Sequence, residues 1–221
     1  MIAVARWLVA ATVAAAASTP ATWSDPSTVV PVDGEADAEP LLFVGDSLCV
    51  GARDHGGGLT GALRGARWDP ELVCGTGEGL EWGLAQVTEL ERVPATVVIA
   101  LGTNPSAREP GFADLVVDLR SQLVARGAER ILWVDFADRR GTYTDKNLVL
   151  HDIARHEGDG IVRWSVLAAA HPEWFRSDGI HYREEGMRRW SRRIADETTR
   201  LRLGPAPSMD DEIAAVVLSS W

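Results

Sequence analysis

Short apolar runs alternate with longer stretches of helical period through the middle of the chain. Residues 41–44 form the first run, ending at Gly45, and a helical stretch follows to about Arg64. Residues 71–74 close a second run, with a helix expected over 80–90. Residues 95–101 (ATVVIAL) are continuously apolar and β-branched, as in a central parallel strand covered on both faces. A helix over 112–126 follows, and Gly127 suits its C-terminal cap. Runs at 131–134 and 161–164 predict a fourth and a fifth strand, with helices over 146–156 and 183–202. This alternation predicts an α/β domain with a five-stranded parallel sheet and helices on both faces. In such sheets ligands bind beyond the carboxyl ends of the strands, so the residues just after each strand are the ones to inspect.

The ends of the chain read differently. Residues 1–21 carry Arg6, an apolar run from Trp7 to Ala17 and small residues at Ala15, Ala17 and Ala21, the pattern of a secretory signal peptide. The run is shorter than the ~20 residues of a membrane-spanning helix, and no stable membrane anchor is expected. Residues 22–39 mix Pro, Ser and acids without period and read as a linker to a domain over 40–203. Residues 204–221 read as a tail, a breaker segment followed by IAAVVLSSW. Export to the cell envelope or beyond follows from the leader. Cys49 and Cys74 fall near the ends of neighbouring strands. Their distance is not given by spacing, so a disulfide and two thiols both stay open.

Composition narrows the function. With 221 residues, 46% of them hydrophobic, the chain is long enough for one well-packed domain. The net charge is −10, and a surface this acidic is poorly suited to a phosphate backbone, so nucleic acid is not an expected partner.

The candidate chemistry lies where the strands end. Gly45-Asp46-Ser47-Leu48 follows the first strand, Gly75-Thr76-Gly77 the second and Gly102-Thr103-Asn104 the third; Asp178-Gly179-Ile180-His181 comes late. Each alone is an ordinary turn or cap. Together they supply what acyl transfer needs. Ser47 is a nucleophile at a helix start, His181 a general base, and Asp178 a carboxylate close enough to orient the imidazole. The backbone N–H groups of Ser47 and Gly75 and the Asn104 amide are three candidate oxyanion donors.

In these four blocks the sequence resembles the SGNH hydrolases, the GDSL esterase/lipase family, over about residues 41–200. The resemblance implies a flavodoxin-like three-layer α/β/α sandwich, Ser47 as nucleophile, Asp178 and His181 completing the triad, and no metal or organic cofactor. It implies a small-molecule or polysaccharide ester as substrate, with short acyl groups such as O-acetyl fitting an exported enzyme. O-acyl transfer to a sugar uses the same site, and a non-catalytic envelope-binding domain is the reading from another class. Pro105 stands where the family often has Asp after the block Asn, which bears on subfamily and substrate.

Other signals are weaker. His55-Gly56-Gly57-Gly58 lacks the G-x-S-x-G elbow that would make it an oxyanion loop and reads as a turn. Gly75-Thr76-Gly77-Glu78-Gly79 misses the dinucleotide fingerprint spacing by one. His151 and His156 are badly spaced for a shared zinc. Trp82 and Trp174 are candidate pocket walls, although buried tryptophans are commoner. Arg188, Arg189, Arg192 and Arg193 share a helix with acids, as on a solvated face.

Overall fold

The computed structural model describes residues 38–54, 58–104 and 111–204. The expected signal peptide, His55–Gly57, Pro105 and all of the tail beyond Gly204 lie outside the described residues. Five strands form one parallel sheet: β1 (Glu39–Gly45), β2 (Trp68–Cys74), β3 (Thr96–Ala100), β4 (Arg130–Val134) and β5 (Gly160–Val162), in the order β2-β1-β3-β4-β5. The expected α/β three-layer sandwich is the observed one. Glu39, read from sequence as linker, already pairs with Trp68 in β1.

Helices α1 (Ser47–Asp54), α2 (Leu59–Gly65), α6 (Trp164–Ala169) and α7 (Glu184–Leu203) cover one face of the sheet, and α3 (Leu80–Glu89), α4 (Phe112–Ala125) and α5 (Thr144–Glu157) cover the other. The strand period explains the two cores. Leu41 and Phe43 pack with α1, α2 and α7, while Leu42 and Val44 pack with α3 and α4. β1 and β3 are apolar at nearly every position because both of their faces are buried.

Two expectations are corrected, and the strand whose end was expected at Cys74 gains its beginning. The stretch after Gly45 is two helices, α1 and α2, rather than one. The fifth strand stops at Val162, and Trp164 opens α6, which the apolar run had concealed. β2 begins at Trp68; Asp69 and Pro70 hid its first half, and Pro70 is tolerated because β2 is an edge strand. Among the described residues no helix is long and apolar enough to cross a membrane.

α7 fixes the late part of the chain. Met187, Trp190, Ser191, Ile194, Ala195 and Thr198 form its buried stripe at three- and four-residue spacing. On its outer side Arg188 and Arg189 pair with Glu184 and Glu185, and Arg193 with Glu197, consistent with a solvated face. At its start Gly186 lies against Trp174 and Tyr182. A Cβ there would sit 2.7 Å from Trp174 Cβ and 3.0 Å from its carbonyl oxygen. We expect Gly186→Ala to cost about 1–3 kcal/mol, the range of an overpacked core, read as a lower urea midpoint at unchanged m.

Candidate active site

β1 ends at Gly45 and the chain turns at once into α1. The register sets Gly45 beside Cys74 of β2 and beside Ala100 of β3. The Gly45, Gly75 and Gly102 blocks therefore leave one edge of the sheet side by side. The Asp46 N–H donates to the Ala100 carbonyl at 3.2 Å and the Gly75 N–H to the Gly45 carbonyl at 3.0 Å. Ser47 is the first residue of α1, where the N–H has no intrahelical acceptor.

The fourth block arrives from far along the chain. After a short 3₁₀ turn (Pro172–Trp174), residues 175–182 fold back on themselves. Phe175 bridges Tyr182, the Arg176 N–H donates to the His181 carbonyl at 2.7 Å, and the Arg183 N–H to the Trp174 carbonyl at 2.6 Å. Tyr182 is fully buried, and its hydroxyl accepts from Trp164 Nε1 at 2.8 Å. Arg139, in the loop after β4, holds the excursion from outside: its guanidinium donates to the carbonyls of Phe175 and Arg176, and its N–H to that of Gly179. Sequence reasoning missed Arg139, because nothing local marks a side chain whose partners are remote carbonyl groups.

This excursion brings His181 to Ser47. Ser47 Oγ lies 2.9 Å from His181 Nε2, and His181 Nδ1 lies 3.0 Å from Asp178 Oδ2. Asp178 Oδ1 also accepts the N–H groups of Ile180 and His181. Slight burial acts to raise the Asp178 pKa, but these bonds and the imidazole outweigh it and hold the carboxyl down at about 2. An ionised Asp178 only accepts, so Nδ1 carries the proton and Nε2 presents its lone pair to the serine hydroxyl. A hydroxyl bonded to a neutral imidazole that is oriented by a carboxylate can be deprotonated as it attacks an electrophilic carbon.

The remaining candidates divide. The Asn104 amide donates to the Glu78 carbonyl at 2.9 Å, which fixes its orientation and leaves its second hydrogen for another acceptor. Gly75 departs from expectation. Its N–H continues the β1–β2 ladder one residue past the strand and is committed to Gly45, so it is not a free donor. Gly75 instead admits close packing: a Cβ there would lie 2.4 Å from Glu78 Cγ and 3.1 Å from the Trp82 ring. Trp82 thus stands beside this block. Trp174 is only 8% exposed, stacked between Trp164 and His171, and is a core residue.

Beneath the site lies Asp46, completely buried. One oxygen accepts the Leu48 N–H at 2.9 Å and the other the Thr103 hydroxyl, so a single carboxyl ties the Ser47 turn to the Asn104 loop. That loop is braced again by Tyr143, whose hydroxyl donates to the Thr103 carbonyl, and by Phe136, whose ring fills the space over Gly102 (φ 133°).

No family model matches the sequence, and no curated protein matches it. Solved structures do. The C-terminal catalytic domain of peptidoglycan O-acetyltransferase A from Streptococcus pneumoniae matches with a TM-score of 0.58 at 20% identity, over 76% of this chain and 97% of that domain. A psychrotrophic esterase from Pseudoalteromonas matches at 0.57 and 17%, over 75% and 100%. An acetyl xylan esterase from Geobacillus stearothermophilus matches at 0.56 and 18%, over 73% and 94%. The chain shares its fold with these three proteins. At these identities the likeness concerns the fold, and the five-stranded sandwich implied by the resemblance is met.

Burial raises the Asp46 pKa to about 6, against the opposing hydrogen bonds from Thr103 and Leu48 and the attraction of His181. The folded protein therefore holds this proton more tightly than the unfolded chain. The favourable contribution is full below about pH 4 and is lost as the pH rises through about 6, a change of about 3 kcal/mol. Asp46→Asn removes the titration. Between pH 4 and pH 7 the variant should gain stability relative to wild type by up to that amount in urea denaturation; parallel pH curves would contradict a raised pKa.

Proposed function

We propose that this chain is an exported serine hydrolase that cleaves carboxylic esters, with short acyl groups such as acetyl on polysaccharide hydroxyls as its substrate class. The observation that carries the reading is the continuous hydrogen-bond chain from Ser47 through His181 to Asp178 at the carboxyl edge of the sheet. The solved structures of the same fold described above include an acetyl xylan esterase and an O-acetyltransferase domain, and they support this substrate class. Export rests on the leader pattern of residues 1–21.

In this mechanism Ser47 Oγ attacks the ester carbonyl carbon while His181 Nε2 takes its proton. Ionised Asp178 stabilises the imidazolium without accepting the proton. The tetrahedral oxyanion is held by the Ser47 N–H and the second Asn104 amide hydrogen. Gly75 is committed to Gly45, so a third donor falls to the turn that follows it, at Thr76 or Gly77. Collapse expels the alcohol, which takes the proton from His181 and leaves an acyl-Ser47. Water then attacks the acyl carbon and gives a proton to Nε2; the C–Oγ bond breaks, Nε2 returns that proton to Ser47 Oγ, and the acid departs. The residues need no metal or organic cofactor for any of these steps.

A second reading keeps the acyl-enzyme and replaces water by a sugar hydroxyl, giving O-acyl transfer; the O-acetyltransferase neighbour favours it. Product analysis with an acetyl donor and an oligosaccharide acceptor separates the two. A non-catalytic binding domain would have no use for the Ser47–His181–Asp178 alignment.

The test is hydrolysis of p-nitrophenyl acetate, butyrate and octanoate. Ser47→Ala should lose at least ~10³-fold in kcat/KM, and Asn104→Ala on the order of 10²-fold in kcat. Acetate should be the best of the three esters. Turnover undiminished in folded Ser47→Ala would overturn the assignment.

A further inference from the structure

Cys49 and Cys74 are joined in a disulfide, with Cα atoms 5.6 Å apart. Its position relative to the candidate site is unusually intimate. Cys49 lies two residues after Ser47 on α1, and Cys74 immediately precedes Gly75. Together with the hydrogen bond from the Gly75 N–H to the Gly45 carbonyl, the disulfide closes a small ring. The ring runs from Gly45 through Asp46, Ser47 and Leu48 to Cys49, across the two sulfurs to Cys74, and from Gly75 back to Gly45. The proposed nucleophile is a member of it. Gly45 is moulded to the bridge, since a Cβ on Gly45 would lie 2.6 Å from Cys49 Cβ.

The bridge joins two elements that otherwise meet the rest of the fold on one side each: β2 through its pairing with β1, and α1 through its buried face of Leu48, Cys49, Gly51 and Ala52. β2 is an edge strand paired only with β1, and most of its length is not fully buried. α1 has eight residues, too few to be stable on its own. The turn after Cys74 also carries the Glu78 carbonyl that orients the Asn104 amide. Movement at Cys74 thus reaches two of the groups assigned to the oxyanion, the Asn104 amide and the turn N–H, while movement at Cys49 reaches the Ser47 N–H and hydroxyl.

We propose that the Cys49–Cys74 disulfide is a reducible clasp that positions the nucleophile turn and the oxyanion turn, so that its reduction lowers turnover while the sheet stays folded. The proposal rests on the ester-cleaving reading for its effect on rate. Cys49 is fully buried and Cys74 only partly, so attack is expected at Cys74. A thiolate of an external dithiol bonds to Cys74 Sγ and the S–S bond breaks, releasing Cys49 as a thiolate that takes a proton. The second thiol of the reagent then attacks the mixed disulfide and releases Cys74. Two electrons pass to the protein, and the reagent leaves as its own cyclic disulfide.

The experiment compares oxidised wild type, wild type reduced with dithiothreitol and counted for two free thiols, and the Cys49→Ala/Cys74→Ala double variant. Esterase kinetics and site-resolved amide exchange are measured on each. A 1 Å misplacement of reacting groups costs on the order of 10²-fold, so reduction should lower kcat at least ~10-fold with KM changed less than ~2-fold. Reoxidation should restore kcat, and the double variant should match the reduced protein and ignore dithiothreitol. Exchange should rise at 47–51 and 75–79 and stay unchanged at 96–100. Unchanged kcat in the reduced, folded protein would overturn the proposal. So would exchange rising everywhere, which would make the bridge a staple of the whole fold. If oxidised wild type has no Ser47-dependent turnover, the ester-cleaving reading fails by itself. The clasp is then decided by exchange alone: a rise confined to the two turns supports it, and no rise refutes it.

Discussion

Two main-chain hydrogen bonds at the end of β1 set the height of everything that stands on the sheet. The Gly75 N–H reaches the Gly45 carbonyl, and the Asp46 N–H reaches the Ala100 carbonyl. These bonds fix β1 in register with both neighbours at the point where three loops depart. A slip of one residue would turn every β1 side chain to the opposite face, exchanging Leu41 and Phe43 for Leu42 and Val44 in cores already filled. The packing of both layers therefore protects the alignment of Ser47 with the Asn104 loop. The same ladder explains why Gly75 serves the site by its lack of a side chain rather than by its N–H.

Two aspartates beside this edge show how environment separates roles. Asp46 has no exposure, and burial pushes its carboxyl up to about 6 although two donors face it. Asp178 stands in the open excursion after the 3₁₀ turn, where two backbone N–H groups and an imidazole keep it near 2. The second stays an anion at pH values well above 2 and suits the support of a charged imidazole. The first sits below the reacting region and works as a brace between Leu48 and Thr103. Its two oxygens tie the Ser47 turn to the Asn104 loop. Arg139 does the corresponding work for the distal block, binding three carbonyls that would otherwise leave the excursion free to shift.

Much of this was legible in the sequence, for physical reasons that differ by element. β1 and β3 announce themselves because burial on both faces demands unbroken apolar runs. α7 does so because its charged face and apolar stripe share one period. Ser47, Asn104, Asp178 and His181 were legible because each follows a strand or a turn signal at a predictable place. The parts that escaped are those decided by contacts across the chain. The start of β2 was hidden by Asp69 and Pro70, which only an edge position allows. α6 was hidden because Trp164 continues the apolar run of β5 while its ring belongs to a cluster with Trp174 and Tyr182. The commitment of the Gly75 N–H depends on how far a ladder runs, and that length is not written in either strand alone.

The exposure of the distal block bears on the choice between water and a sugar as the final acceptor. The His181 and Asp178 side chains are 39% and 46% exposed, so among the described residues the imidazole faces solvent rather than a closed cavity. In the proposed acyl-enzyme, water competes at a concentration no dissolved sugar approaches. A hydroxyl acceptor would prevail only if the protein held it against Ser47 in the right orientation, turning an encounter into an intramolecular step worth several orders of magnitude. Among the described residues Trp174 and Tyr182 pack in the core, whereas Trp82, beside the Gly75 turn, is partly exposed. Exposure of the His181–Asp178 pair leaves both acceptors open, and transfer depends on how well a sugar hydroxyl is ordered beside Ser47.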